Sequence, residues 1–376
     1  MATKRRWPGA IAGGVVLVLG LTVSPAAAVA RDDVARDDHA ATQAALDRYK
    51  AVGGPGAAVY AGDATTAWTL TAGTAKIGQQ RPITATDHFR DGSQTKTFTA
   101  AVVLQLVDEG LVELDTPVEA YLPGVLTGNY DGGVITTRQL LQHTSGMVRD
   151  VRDPNPAPDG TYELAELVRS AMDEPPLAEP GAAVEYSNVG YLVLGLLVER
   201  LTGQSVGDAI TARIIEPLGL TATSFPARGQ RALRTPFLPG YLIVRIPPLV
   251  FWHENTTGVE LSVYSSAGAM ESTLADSATF FRALADGDVV SPAALAQMRD
   301  TVPYLNGYGM GLGLNDRTLS CGGTVWFKHG AAETGHTSVT GVTDDGRFAS
   351  LVTNSFATGT EVAALADAVL DAALCD

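Results

Sequence analysis

The sequence predicts an α+β fold: one antiparallel sheet flanked by helices and built from both chain ends, with a helical domain inserted between them. Three observations predict it. Short apolar segments of strand character lie near the N-terminal end, in "GAAVYAGD" and "AWTLTAGTAK", and return near the C-terminal end in "TVWFKHG", "HTSVTGVTDD" and "FASLVTNS". The stretch between them is helical and turn-rich with few strand signals. The composition, 45% hydrophobic and 18% charged over 376 residues, is globular and large enough to bury a full core.

Residues 1–30 read as a signal peptide. Lys4, Arg5 and Arg6 form a basic start, an apolar stretch runs from about Ile11 to Val23, and small residues follow at Ala26, Ala28 and Ala30. The apolar run is short for a span of about 20 residues. The mature chain is therefore expected to be secreted, with no membrane span after processing. The charged "RDDVARDDH", 31–39, is expected to be a flexible N-terminal segment.

A helix is expected near Ala40–Val52, then two strands with a turn around Gly62-Asp63. From Ser93 the pattern changes. "SQTKTFTAAVVLQLVDEG" is apolar at Phe98, Val102, Val103, Leu106 and Val107 and stops at Gly110, which predicts a buried helix with a glycine at its C-terminal end. Residues 116–260 are assigned to the mainly helical domain. It includes the helix "NVGYLVLGLLVERLTG" and a further one in "SVGDAITARIIEPLGL". The apolar, proline-interrupted segment 236–252 reads as a loop or ribbon lining a cleft, with a partner-binding lip as the alternative. Residues 40–115 and 261–376 form the sheet domain. Its last third has a capped helix in "STLADSATFFRALADG", the three late strands, and a final helix ending at Cys375.

The net charge is −15, with 26 basic and 41 acidic residues, so a nucleic-acid partner is not expected. The two cysteines, Cys321 and Cys375, form a disulfide if the chain is exported, or remain two free thiols. The histidines show no metal-ligand spacing.

The chemistry centres on "DGSQTKTF". Lys96 is one of only five lysines, and it lies one helical turn from Ser93. A serine hydroxyl is a poor nucleophile until a base takes its proton, and a lysine can do so once burial or a nearby cation lowers its pKa. In "EYSNVGY", Tyr186 and Asn188 are two apart in an extended stretch and point the same way. A phenol can share a proton with Lys96, and an amide can hold a carbonyl. In "WFKHGAAETGH", a strand with a basic residue followed by small ones can wall a cleft, and its backbone N–H can pair with that of Ser93 as an oxyanion hole.

Together these elements resemble the serine β-lactamase and penicillin-binding DD-peptidase family. Ser93–Lys96 looks like its S-x-x-K, and Tyr186-Ser187-Asn188 like its Tyr-x-Asn. His329-Gly330-Ala331 looks like its Lys- or His-Thr-Gly. "TTRQLLQHTSGM" and "GYGMGLGL" are phrases of its secreted D-alanyl-D-alanine carboxypeptidase and class C branch. The resemblance implies an acyl-enzyme on Ser93, with Lys96 and Tyr186 moving protons and the formal base left open. It also implies Asn188 on the acyl side, with His329, Gly330, Ala331 and Ala332 lining the substrate, and an oxyanion hole from the N–H groups of Ser93 and Ala332. A Cys321–Cys375 disulfide is implied, and no cofactor or metal. His143, in "QHTSG", reads as a structural landmark.

The third motif departs from the pattern. Gly330 and Ala331 stand where the family has a hydroxyl residue and a glycine, and Asn315 stands where an arginine holds a substrate carboxylate. Arg317 is the nearby substitute. Lys328 is the alternative to His329 as the cleft residue, and "GHTS" (335–338) offers a rival His-Thr pair. The expected function is a D-alanyl-D-alanine carboxypeptidase-type serine hydrolase acting as a monomer on a small peptide, ester or β-lactam. The alternatives are an esterase, β-lactamase or D-aminopeptidase of the same fold, or a catalytically weak wall-associated or ligand-binding module.

Overall fold

The computed structural model describes residues 38–246 and 249–376. Residues 1–30, expected to be a signal peptide, and residues 31–37 lie outside the described residues. At the end of the segment expected to be flexible, His39 occupies the position before the first helix and its ring stacks on Trp68 at 4.0 Å.

Helix α1 (Ala40–Gly53) buries Thr42, Ala45, Leu46 and Tyr49, a stripe at the three- and four-residue spacing of one helix face. Strands β1 (Gly56–Gly62) and β2 (Ala67–Gly73) follow as a hairpin. Helix α2 (Thr95–Asp108) is buried almost all round, from Thr95 to Leu104 without interruption. Helix α3 (Asn188–Thr202) starts at a Ser187 cap and ends at Gly203 in the left-handed conformation. It packs on α2 through a core that includes Val102, Leu106, Tyr191, Leu194 and Leu197.

Helix α4 (Leu274–Asp286) covers one face of the sheet, and Phe280 stacks on Phe98 of α2 at 3.7 Å. Strands β3 (Val302–Pro303), β4 (Gly309–Met310), β5 (Asn315–Thr318), β6 (Thr324–Ala332), β7 (His336–Thr343) and β8 (Phe348–Thr353) complete the sheet. Helix α5 (Thr360–Cys375) then returns over its other face beside α1.

The eight-stranded sheet runs β2-β1-β8-β7-β6-β5-β4-β3, with every pair antiparallel. The two chain ends meet at β1 and β8, where Val59 faces Leu351. The expected α+β architecture, a sheet drawn from both ends, is therefore present. Leu46, Tyr49, Phe327, Leu351, Val369 and Leu370 fill the layer between the sheet and α1/α5.

Three local features differ from, or sharpen, the expectation. The helix expected across "SVGDAITARIIEPLGL" is α-helical only over Val206–Ile210, and Thr211–Ile215 is a π-turn. There the Thr211 hydroxyl bonds back to the Gly207 carbonyl at 2.8 Å. Strands β3, β4 and β5 are two to four residues long, too short to show an alternation in sequence. The apolar 236–252 segment contains a ribbon, with Tyr241–Ile246 paired to Leu249–Glu254.

Cys321 and Cys375 are joined, tying the loop after β5 to the end of α5, with their Cα atoms 5.7 Å apart. Among the described residues, no helix is long and apolar enough to cross a membrane.

Candidate active site

A cleft of about 750 Å³ opens between the sheet and the helical region, and Ser93 lines it. Ser93 sits in a single 3-10 turn, Gly92–Gln94, that leads directly into α2. Gly92 makes the turn possible. Its φ is +56°, and a Cβ there would stand 2.7 Å from the Ala331 nitrogen and 2.5 Å from its oxygen. Glycine thus lets the nucleophile's turn lie flat on the Ala331 peptide.

One turn into α2, Lys96 is fully buried, with its Nζ 3.2 Å from Ser93 Oγ. The same nitrogen lies 2.6 Å from Asn188 Oδ1 and 2.6 Å from the Ala267 carbonyl oxygen. Burial holds the Lys96 pKa well below the ordinary lysine value, and the like charge of Lys328 lowers it further, with Asp150 opposing. A neutral amine has two N–H groups and one lone pair. Two oxygens that can only accept, on Asn188 and Ala267, take the two N–H groups, which leaves the lone pair facing the Ser93 hydroxyl. Asn188 cannot be reversed without loss, because its Nδ2 donates to Asp150 Oδ1 at 2.5 Å.

Tyr186 lies over the same point. Its phenol lines the cleft beside Ser93, and burial raises its pKa, so it is neutral at neutral pH. Three basic groups surround its aromatic ring: Lys96 Nζ at 5.0 Å, Lys328 Nζ at 5.4 Å and the Arg149 guanidinium at 5.4 Å from the ring centroid. Tyr186 and Asn188 are delivered together because Ser187 between them turns inward to cap α3, its hydroxyl accepting from Gly190 N–H.

His143 supports this segment. Its Nδ1 accepts from Ser187 N–H at 3.1 Å, and its ring stacks on Tyr186 at 4.3 Å. Burial keeps its pKa well below the ordinary histidine value, as the acceptor role requires. The sequence phrase "QHTSG" marked the residue. Only the packing shows what it holds.

The third motif is in a different phase from the one expected. The sequence makes His329 the cleft-facing basic residue, but its ring turns to the α5 face of β6. There Nε2 lies 3.0 Å from Asp367 Oδ1, and His329 lines the cleft from that face. Strand alternation is the reason. Phe327 is committed to the core under α1 and α5, so His329, two residues on, shares that face. Lys328 points the other way, buried against Tyr186, and burial lowers its pKa to about 8.

The shift also moves the backbone donor. Gly335 N–H bonds to the Ala332 carbonyl at 2.9 Å, so the polar groups of Ala332 point into the β6–β7 hairpin and not into the cleft. Those of Ala331 point to the opposite edge, where β5 stops pairing at Phe327. Ala331, not Ala332, therefore presents its N–H beside Ser93. Gly330 packs its α-carbon onto the Asp91 carbonyl; a Cβ there would come within 2.0 Å of it.

The substitute carboxylate anchor considered from the sequence, Arg317, is ion-paired to Asp367 at 3.3 Å on the α5 face, and Asn315, in the place of the family's arginine, gives its Nδ2 to the Gly309 carbonyl at 3.0 Å. The rival His336 is buried inside the sheet layer and bonds to Leu238 O at 2.8 Å. Among the described residues, no group of three or more His, Cys, Asp or Glu is placed to hold a metal.

Residues 40–374, nearly all of the described chain, match the family described as Beta-lactamase. This chain belongs to the beta-lactamase family. Within that family of serine β-lactamases and penicillin-binding proteins it is a serine hydrolase by fold.

A D-stereospecific amidohydrolase from Streptomyces sp. superimposes with a TM-score of 0.78 at 39% identity, over 90% of this chain and 99% of that one. A D-amino acid amidase from Ochrobactrum anthropi SV3, complexed with L-phenylalanine amide, gives a TM-score of 0.77 at 27% identity, over 89% and 98%. The unguisins hydrolase ungD' of Aspergillus campestris is 33% identical over 262 residues, 66% of this beta-lactamase-family chain and 47% of that protein. The chain thus spans about half the length of that curated relative.

Proposed function

We propose that this protein is a secreted serine amidohydrolase that forms an acyl-enzyme on Ser93 and acts on amides or short peptides of D-amino acids. The observation that carries the proposal is the Ser93–Lys96 pair, with the Lys96 lone pair left for the serine hydroxyl by Asn188 and Ala267. In the proposed reaction Lys96 takes the Ser93 proton as Oγ attacks the substrate carbonyl. The N–H groups of Ser93 and Ala331 hold the oxyanion. Tyr186, neutral and beside Ser93, passes a proton to the leaving nitrogen, and the Lys328 cation favours transient negative charge on the phenol. Water then attacks the ester, giving its proton to the Tyr186 phenolate, and protonated Lys96 returns its proton to the departing Ser93 Oγ as the acid is released.

The D-amino-acid reading is favoured over the carboxypeptidase reading for two reasons. Asn315 stands where the family's carboxylate-binding arginine would be, and Arg317, the nearby substitute, is spent on Asp367. The two structural relatives described above are a D-stereospecific amidohydrolase and a D-amino acid amidase. Secretion rests on the leader-like 1–30 and suits the Cys321–Cys375 disulfide.

The test is intact-mass labelling of the mature protein with a fluorophosphonate and with penicillin, beside a Ser93→Ala control, followed by ammonia release from D- and L-phenylalanine amide. A Ser93-dependent adduct and D-selective release are expected. An absent adduct removes the enzyme reading. D-Alanine release from a diacetyl-Lys-D-Ala-D-Ala peptide without amide cleavage returns the carboxypeptidase.

A further inference from the structure

Asp150 lines the cleft but takes no part in the reaction proposed above. It is nevertheless built into the site. Residues 148–150 run beside residues 187–188 and are bonded to them three times. Ser187 Oγ donates to the Val148 carbonyl at 2.7 Å, Asn188 N–H to the Arg149 carbonyl at 2.7 Å, and Asn188 Nδ2 to Asp150 Oδ1 at 2.5 Å. The Tyr130 hydroxyl fixes the start of the segment by accepting from Val148 N–H at 3.1 Å. The other carboxylate oxygen of Asp150, Oδ2, lies 3.3 Å from Arg149 Nε. Both oxygens are thus engaged, and a line of contacts runs from Asp150 through Asn188 and Lys96 to Ser93.

A side-chain amide has a donor end and an acceptor end, and either can face a neutral amine. The group at its far end decides which does. A carboxylate only accepts, so Asp150 requires Nδ2 on its own side and sets Oδ1 against Lys96 Nζ. A neutral amide at position 150 would bond to Asn188 in either orientation. Turned over, Asn188 would offer an N–H to Lys96 and occupy the lone pair that serves Ser93. The charge of Asp150 acts in the same direction. By accepting from Nδ2 it polarises the Asn188 amide and makes Oδ1 more negative, where Oδ1 meets the ammonium that Lys96 becomes.

The charges that act on Lys96 are those of Lys328 on β6 and of Arg149 and Asp150 in the 148–150 segment; Asp150 is the negative one. Tyr186 and Tyr191, whose rings face Lys96 Nζ, and His143, which packs on both, are neutral at neutral pH: burial raises the phenols and lowers the imidazole.

We infer that Asp150 is a positioning residue, which acts through Asn188 to hold the Lys96 lone pair on the Ser93 hydroxyl and to stabilise the ammonium formed when Lys96 takes the serine proton. The inference rests on the proposed acyl-enzyme chemistry at Ser93 and is independent of which amide that chemistry cleaves.

The experiment follows the rate of Ser93 labelling by a fluorophosphonate across pH in the wild type, Asp150→Asn and Asp150→Glu, so it requires no turnover. Asn keeps the shape of Asp and removes both its charge and its acceptor-only character; Glu keeps both with one more methylene. Near-UV circular dichroism shows that each variant is folded. Asp150→Asn should label about tenfold or more slowly, the scale of one charged hydrogen bond. Because Asp150 raises the Lys96 pKa, the acid limb of that variant's rate profile should also move to lower pH, by about half a unit or more. Asp150→Glu should recover most of the rate and return the limb toward the wild-type position. An Asp150→Asn variant that keeps the wild-type rate or acid limb overturns the inference and leaves the amidase reading standing. Equal losses in both variants with no movement of the limb mark a merely structural residue and overturn it as well. A wild type that shows these differences on labelling but cleaves no D-amino acid amide keeps the inference and removes the amidase reading.

Discussion

Asp91, two residues before the nucleophile, is a carboxyl group buried with 0% exposure, and neither of its oxygens has a hydrogen-bond partner among the described residues. Burial raises its pKa from 3.8 to about 8. The folded protein therefore holds the proton up to about pH 8, while the unfolded chain releases it near pH 4. Between those values each pH unit lowers the stability of the wild type by about 1.4 kcal/mol. The stability linked to this group is full below pH 4 and lost as pH rises through the folded value. At pH 7 the cost reaches about 4 kcal/mol, a large part of the 5–15 kcal/mol typical of a domain. Asp91→Asn keeps the shape and removes the titration. Urea unfolding of both proteins from pH 4 to pH 9 should give nearly equal stabilities at pH 4 and a variant advantage that grows with pH and levels off above pH 8. A difference that stays constant across that range would refute the reasoning, because it would mean that Asp91 ionises alike in both states.

Three further outcomes follow from the geometry. Gly92→Ala puts a Cβ within 2.5–2.7 Å of the Ala331 backbone at a positive φ, so fluorophosphonate labelling of Ser93 should fall by at least about tenfold while circular dichroism stays native. Lys328, with its pKa at about 8, must be charged to stabilise the phenol of Tyr186, so kcat/KM should decline as pH rises through about 8 in a pH–rate profile. Cys321→Ser together with Cys375→Ser opens a loop of 54 residues and should cost about 4 kcal/mol in the chain-entropy account, read as a lower urea midpoint.

Much of the fold was legible because the signals were local and redundant. Helix α2 announced itself through its spaced apolar positions from Phe98 to Val107 and the glycine at its end, and β7 and β8 through their short apolar segments. The serine–lysine pair was legible for the same reason, since one helical turn fixes their distance whatever surrounds them. The ends of the sheet were harder. Strands β3 to β5 are too short to carry a period. The π-turn at Thr211 depends on a hydroxyl choosing a backbone oxygen within its own helix.

The third motif shows where sequence stops. Both Lys328 and His329 are basic, and a strand read one residue out of phase exchanges every side chain between its two faces. Composition alone does not choose between them. The chain by itself determined the α+β class, the closeness of Ser93 and Lys96, the common direction of Tyr186 and Asn188, and the two cysteines. Tertiary structure decided that Lys328 joins Tyr186, that the Ala331 peptide lies against the Ser93 turn, and that Arg317 is spent on Asp367. Each of those choices follows from Phe327 burying under α1 and α5, a contact between segments nearly 280 residues apart that no local pattern records.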